Sequence, residues 1–181
     1  MKRIEVVIEG GIRKRLSEVK PEEKIIGVIL RRSKSIISLR TYNPKDPYPT
    51  HFSKVSELWR EWKEQAEIDM EGEEDTIKLK THGLIEVSLK RNEYIPSLGQ
   101  VKDALMSRDR INYVRKKLGL PSIPYDSWFL SSTIRDKCSV WLIHNDNNIH
   151  NDNIFIGSWL YHNCKEHTCY ILAFLKPQQT E

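Results

Sequence analysis

The chain lacks any apolar run close to the roughly 18 residues of a membrane-spanning helix. Its start, MKRIEVVIEGG, carries a Glu inside a short apolar run, unlike the uninterrupted apolar core of a secretory leader. Read as it stands, this predicts a virion or cytoplasmic protein, with a secreted or surface location only if the chain has been trimmed. Cysteine is scarce: Cys138, Cys164 and Cys169 are too few for a disulfide framework. Neither charge sign dominates, with 29 basic and 25 acidic residues and a net charge of +4. The densest basic clusters are Arg13–Lys14–Arg15, Arg31–Arg32 and Arg115–Lys116–Lys117. Acidic residues flank most of them, so they read as solvated surface rather than a nucleic-acid stripe. No aromatic–basic RNA-binding motif is present. Nor is there a nucleophile elbow, a P-loop, a dinucleotide fingerprint or HExxH. The expectation is a non-enzyme with no catalytic residue, no metal and no cofactor.

What is present is a globular composition. Apolar residues make up 39% and charged residues 30%, and five Trp, seven Tyr and four Phe are more than a disordered chain carries. A length of 181 residues predicts a single domain. Within it, 1–20 reads as an N-terminal strand extension, 21–94 as strands and a helix, and 95–181 as a core with a long polar loop over 144–168.

Lys2–Ile8 alternates around Ile4, Val6 and Ile8 and predicts a strand ended by Gly10–Gly11. Ile25–Leu30 and Ser35–Leu39 predict a hairpin. Pro44, Pro47 and Pro49 make Asn43–Pro49 a loop. Leu58, Trp59, Trp62 and Ala66 predict one helix over Ser53–Met70, with Ser53 as N-cap. Glu71–Asp75 reads as exposed, and Thr76–Leu79 and Leu84–Leu89 as strands. Ser97 and Gln100 fit a capping box that opens a helix to Met106. A second helix, Arg108–Leu118, ends at Gly119. Short β-type runs follow: Ser127–Leu130, Ser139–Ile143, Ile154–Ile156, Trp159–Tyr161 and Cys169–Leu175. Strands, then helices, then strands is an α+β order.

Five stretches occur in a familiar order: Ile95–Pro96–Ser97–Leu98–Gly99–Gln100–Val101, Ile111–Asn112, Trp128–Phe129–Leu130–Ser131–Ser132–Thr133, Ser139–Val140–Trp141–Leu142–Ile143, and Cys169–Tyr170–Ile171–Leu172–Ala173–Phe174–Leu175. Over 95–175 they resemble the Lcl C-terminal-like domains of bacteria and phages. The segments Gly27–Leu30 and Ile36–Leu39 are similar to that family's early strands. The last loop is longer than the family pattern, and Met1–Lys20 has no counterpart. The resemblance implies a C-type-lectin-like fold: short twisted antiparallel sheets flanked by two to three helices, displaying a C-terminal loop region. Ser131, Ser132 and Thr133 read as caps of the turn that follows them. Trp128 and Trp141 read first as core residues.

The segment HNDNNIHNDN, residues 144–153, repeats HNDN and carries hard oxygen donors suited to calcium. It has no closing Glu and no turn Gly, so it reads first as a solvated polar loop. A calcium site and a binding rim remain open. His162, Cys164, His167 and Cys169 have zinc-type donors, but their spacing is too tight for a finger. A hairpin joining Trp159–Tyr161 to Cys169–Leu175 would set Cys164 opposite Cys169, as buried thiols, a disulfide or half a metal site.

The functional expectation is a recognition or adhesion module, by analogy of fold. Its ligand-binding set is Trp141, His144, Asp146, Asn147, Asn148, His150, Asn151, Asp152, Trp159 and Tyr161, which mixes adaptable polar groups with rigid aromatics. The expected partner is a cell-surface glycan or protein receptor, or neighbouring subunits of a homo-oligomer, without nucleic acid or membrane insertion. A structural assembly subunit of a virion or appendage is the alternative, and a metal- or Cys-dependent enzyme the second.

Overall fold

Residues 3–42, 52–85, 87–145, 154–160 and 169–177 are described by a computed structural model. The strands are β1 (Glu5–Ile8), β2 (Arg13–Arg15), β3 (Ile25–Ile29), β4 (Ile36–Tyr42), β5 (Glu93–Tyr94), β6 (Ser127–Asp136), β7 (Ser139–Asn145), β8 (Ile154–Leu160) and β9 (Cys169–Leu175). The helices are α1 (Lys63–Ile68), α2 (Gly72–Thr81), α3 (Leu98–Met106) and α4 (Arg108–Lys117). This is the predicted α+β class. The strands join in the order β2-β1-β3-β4-β9-β6-β7-β8, and β5 also pairs with β9.

The last strand is the middle of the sheet. On one side β9 runs antiparallel to β4 along its length, from Ile36↔Leu175 to Tyr42↔Ile171. On the other it runs parallel to β6 at Trp128↔Cys169 and antiparallel to β5 at Glu93↔Leu175. Its sequence CYILAFL is apolar throughout because both faces are covered. Alternation sends Leu172 and Phe174 to a core with α3, α4, β1 and β3, and Cys169 and Ile171 to a second core on the other face. β6 and β7 divide the same way: Phe129, Trp141 and Ile143 join the first core, Leu130, Val140 and Leu142 the second. The helices follow their apolar stripes, with Leu98, Val101, Ala104 and Leu105 buried on α3 and Ile111 and Val114 on α4.

Several predicted boundaries hold. β3 and β4 form the hairpin. Gln100 Oε1 accepts from the Ser97 N–H at 3.1 Å, which opens α3 as predicted. Gly119, at φ +67°, follows α4 in the left-handed conformation that glycine adopts at least cost.

Other elements differ. The predicted helix over 53–70 is two pieces, a 3-10 turn at Ser53–Leu58 and α1. Between them Trp59 is extended and bridges Ile134, and the Arg60 N–H donates to Ile134 O at 2.8 Å. The edge of β6 takes backbone that helical spacing assigns to a helix, and Trp62 is left 66% exposed. The expected strand at 76–79 is the body of α2, and the described residues of 84–89 form no strand. Glu73, Glu74 and Asp75 fill the first turn of α2 and Lys78 and Lys80 the last, which suits the helix dipole. Asp75 is buried rather than exposed. Arg115 also leaves the expected solvated cluster. It is buried, with Nε donating to Pro121 O at 2.5 Å and Nη1 to Leu39 O at 2.8 Å.

Among the described residues, the expected pairing of 159–161 with 169–175 is not found. Ile154–Ile156 and Trp159–Leu160 belong to one strand, β8, which pairs with β7 and is separated from β9 by β6 and β7. β8 also falls inside the span predicted as one polar loop, 144–168.

A buried polar junction links the helices to the sheet. Asp69 O accepts from Ser97 Oγ at 2.6 Å and from the Gly99 N–H at 3.1 Å. Thr133 Oγ1 donates to Asp69 Oδ2 at 2.7 Å and accepts from the Leu98 N–H at 2.8 Å. Thr133 thus caps α3 from a distant strand, not the turn after it. A Cβ at Gly99 would overlap Asp69 O, and one at Gly72 would overlap Ser97 N, so glycine is required at both crossings.

The junction can be probed at two residues. Ser97→Ala removes the buried hydroxyl that donates to Asp69 O and is expected to cost about 1–2 kcal/mol, read by denaturant titration. An unchanged midpoint would show that the junction contributes nothing. Asp75 has its pKa pushed up to about 7, first by burial and then by the Asp69 charge. In the unfolded chain it ionises near 3.8. The stability held by its neutral form is therefore full below pH 3.8 and is lost as pH rises through about 7. Asp75→Asn should raise the melting midpoint at pH 8, by about 2–4 °C per kcal/mol recovered, and lose that advantage near pH 4. A gain equal at both pH values would contradict the assignment.

Candidate functional site

One end of the sheet gathers aromatic and polar groups. β6 and β7 pair with Trp128 directly opposite His144, and the ladder ends at Ser127↔Asn145. β7 and β8 close at Asn145↔Ile154, so 146–153 connects two strands at this same end. The His144 ring lies 4.7 Å from the Trp128 ring, inclined at 51°. Its Nε2 is 3.1 Å from Asp126 Oδ1. The imidazole is thus held between an aromatic face and a carboxylate, a cross-strand contact that fixes its orientation.

The approach to β6 builds the rest. Asp126 adopts φ +49°, a left-handed turn conformation that Asp tolerates better than most residues, and its side chain is 73% exposed. Ser127 Oγ donates to Tyr125 O at 3.0 Å across this turn. Tyr125 is 43% exposed, and the Arg108 guanidinium sits 3.5 Å from its ring centroid. This cation–π stack holds the tyrosine ring against the start of α4. The rim thus carries two groups, the Arg108–Tyr125 stack and the Asp126–His144–Trp128 cluster, joined along the chain by the turn at Tyr125–Ser127.

The expected ligand-binding residues divide. His144 is on the rim. Trp141 is buried, with Nε1 donating to Arg60 O at 2.5 Å, so its ring belongs to the core that the sequence also suggests. Trp159 lies on β8 opposite Val140 in the ladder. Asp146, Asn147, Asn148, His150, Asn151, Asp152 and Tyr161 lie outside the described residues, as do His162, Cys164 and His167. Cys169 is buried on β9. Among the described residues no cluster of three His, Cys, Asp or Glu side chains is arranged to hold a metal, and no helix is long and apolar enough to cross a membrane.

Sequence reasoning misses Arg108, Tyr125 and Asp126. The Tyr125–Asp126–Ser127 turn is visible as text, but only the β6–β7 register sets it beside His144.

No family model matches this chain, and no curated protein sequence matches it. Over 97% of its length the chain is similar to a fimbrial protein from Bacteroides ovatus ATCC 8483, with a TM-score of 0.66 and 13% identity. The match covers 48% of that protein, so this chain spans about half its length. At this identity the likeness is one of fold.

Protein purified without chelator is expected to carry no stoichiometric zinc or calcium by elemental analysis. One equivalent of either would reopen the metal readings of 144–153 and 162–169.

Proposed function

We propose that this chain is a non-enzymatic recognition module of a surface appendage or virion, with a C-type-lectin-like arrangement. The observation that carries the reading is the rim at the open end of β6 and β7. There Asp126, Trp128 and His144 are held together, with Tyr125 one residue before them on the turn into β6. Aromatic faces beside carboxylate and amide groups suit the apolar faces and hydroxyls of a glycan, or a polar protein epitope. The fold supports the reading in two ways. Two helices and a sheet with both faces covered hold the rim on rigid elements. The stretches that resemble the Lcl C-terminal-like family also meet: PSLG and SST are joined through the Leu98–Thr133 and Ser132–Pro96 hydrogen bonds, each 2.8 Å.

A second reading, a structural subunit of an appendage, is favoured by the fold likeness to a fimbrial protein. In that reading the rim meets a neighbouring subunit.

A glycan array and a cell-binding assay on the purified protein separate the two. Recognition predicts binding that falls at least about tenfold, or ~1.4 kcal/mol, in Tyr125→Ala and in the triple replacement of Asn147, Asn148 and Asn151 by Ala. Absence of binding to any surface, together with a stable multimer by light scattering, would leave the structural reading in its place.

A further inference from the structure

The two edges of the sheet differ in kind. β2, at one edge, is three residues long and reads Arg13–Lys14–Arg15. Short length and positive charge are the usual protections of an edge, because they oppose pairing with another chain. β8, at the other edge, is seven residues long and reads IFIGSWL. It contains no Lys, no other charged residue and no Pro. It pairs with β7 in unbroken register from Ser139↔Leu160 to Asn145↔Ile154, whereas β1–β3, β4–β9 and β6–β7 each carry a shift. No bulge turns this edge away from a partner. Among the described residues, β7 is its one strand neighbour.

We propose that β8 is a self-association edge, at which two copies of this chain pair β8 to β8 antiparallel about a two-fold axis centred on Gly157. The sequence of the strand selects a second copy as the occupant. Reversed against itself about Gly157, IFIGSWL sets Ile154 opposite Leu160, Phe155 opposite Trp159 and Ile156 opposite Ser158. Apolar positions meet apolar positions in the two outer pairs at each end, including an aromatic pair, which is among the more favourable cross-strand combinations. The centre is glycine, where two backbones approach with no Cβ between them. A two-fold axis makes the contact isologous and closed, so it yields a dimer with a continuous sheet instead of an open fibre. This proposal stands on the sheet edge and does not depend on the recognition reading.

The test uses the full chain and two variants, Phe155→Lys and Trp159→Glu, with mass read by light scattering after size exclusion across a concentration series. The wild type is expected to rise from the 21.3 kDa monomer to twice that mass. Each variant alone is expected to stay monomeric, because a charge is set opposite an aromatic position twice in each homodimer. Mixed in equal amounts they should recover the dimer. The introduced lysine of one copy then pairs with the introduced glutamate of the other, while the remaining Trp159 pairs with the remaining Phe155. Recovery also shows that both variants are folded. A wild type monomeric throughout, variants that still dimerise alone, or a mixture that stays monomeric would each overturn the proposal.

Discussion

The fold depends on the buried junction around Asp69. One residue joins three parts of the chain: its carbonyl takes Ser97 Oγ and the Gly99 N–H, and its carboxylate takes Thr133 Oγ1. Thr133 in turn satisfies the Leu98 N–H, one of the amides that a helix start leaves without an intrahelical partner. A network of this kind in a low-dielectric interior is stabilising only when its members are paired. Neighbouring groups meet the same demand. Thr76 Oγ1 donates to Ile95 O and accepts from the Ile95 N–H, and Gln100 Nε2 donates to the Tyr94 hydroxyl. The glycines at 72 and 99 exist for this crossing, since any side chain would strike backbone. Asp75 carries the electrostatic cost of the arrangement: burial first, and then the charge of Asp69, keep its proton on to about pH 7.

From that junction the order of the rest follows. α3 is seated against β6 and β7 in the first core, while Val55 and Leu58 of the 3-10 turn and Leu79 of α2 fill the second. β9 fills the gap between β6 and β4 and ties the end of the chain to its beginning. Glu93 on β5 closes the far side, where it is buried and accepts from the Ser38 and Tyr42 hydroxyls on β4. At the other end of β6 and β7, Trp128 packs against the second core and holds His144, while Tyr125 and Asp126 are exposed on the turn into β6.

Several elements are legible from local chemistry alone. The Ser97–Gln100 box, the glycine after α4, the β3–β4 hairpin and the apolar run of β9 each rest on neighbouring residues, and each is where the text places it. The misreadings share one cause, a tertiary partner stronger than the local preference. Trp59 and Arg60 leave helix for the edge of β6. The alternation TIKLKT mimics a strand, but its acidic first turn and the Gly72 contact with α3 make it a helix. Arg115 reads as one of three surface cations, although its guanidinium closes carbonyls of β4 and the Pro121 turn.

The candidate site divides on the same line. An α+β chain with an Asn- and His-rich stretch between late strands can be read from the residues in order, because composition and period-two alternation are local properties. That Trp141 belongs to the core is also legible there, but that His144 stands between Trp128 and Asp126 is not. It depends on which residues face each other across β6 and β7, and register is set only when both faces of a sheet find their cores.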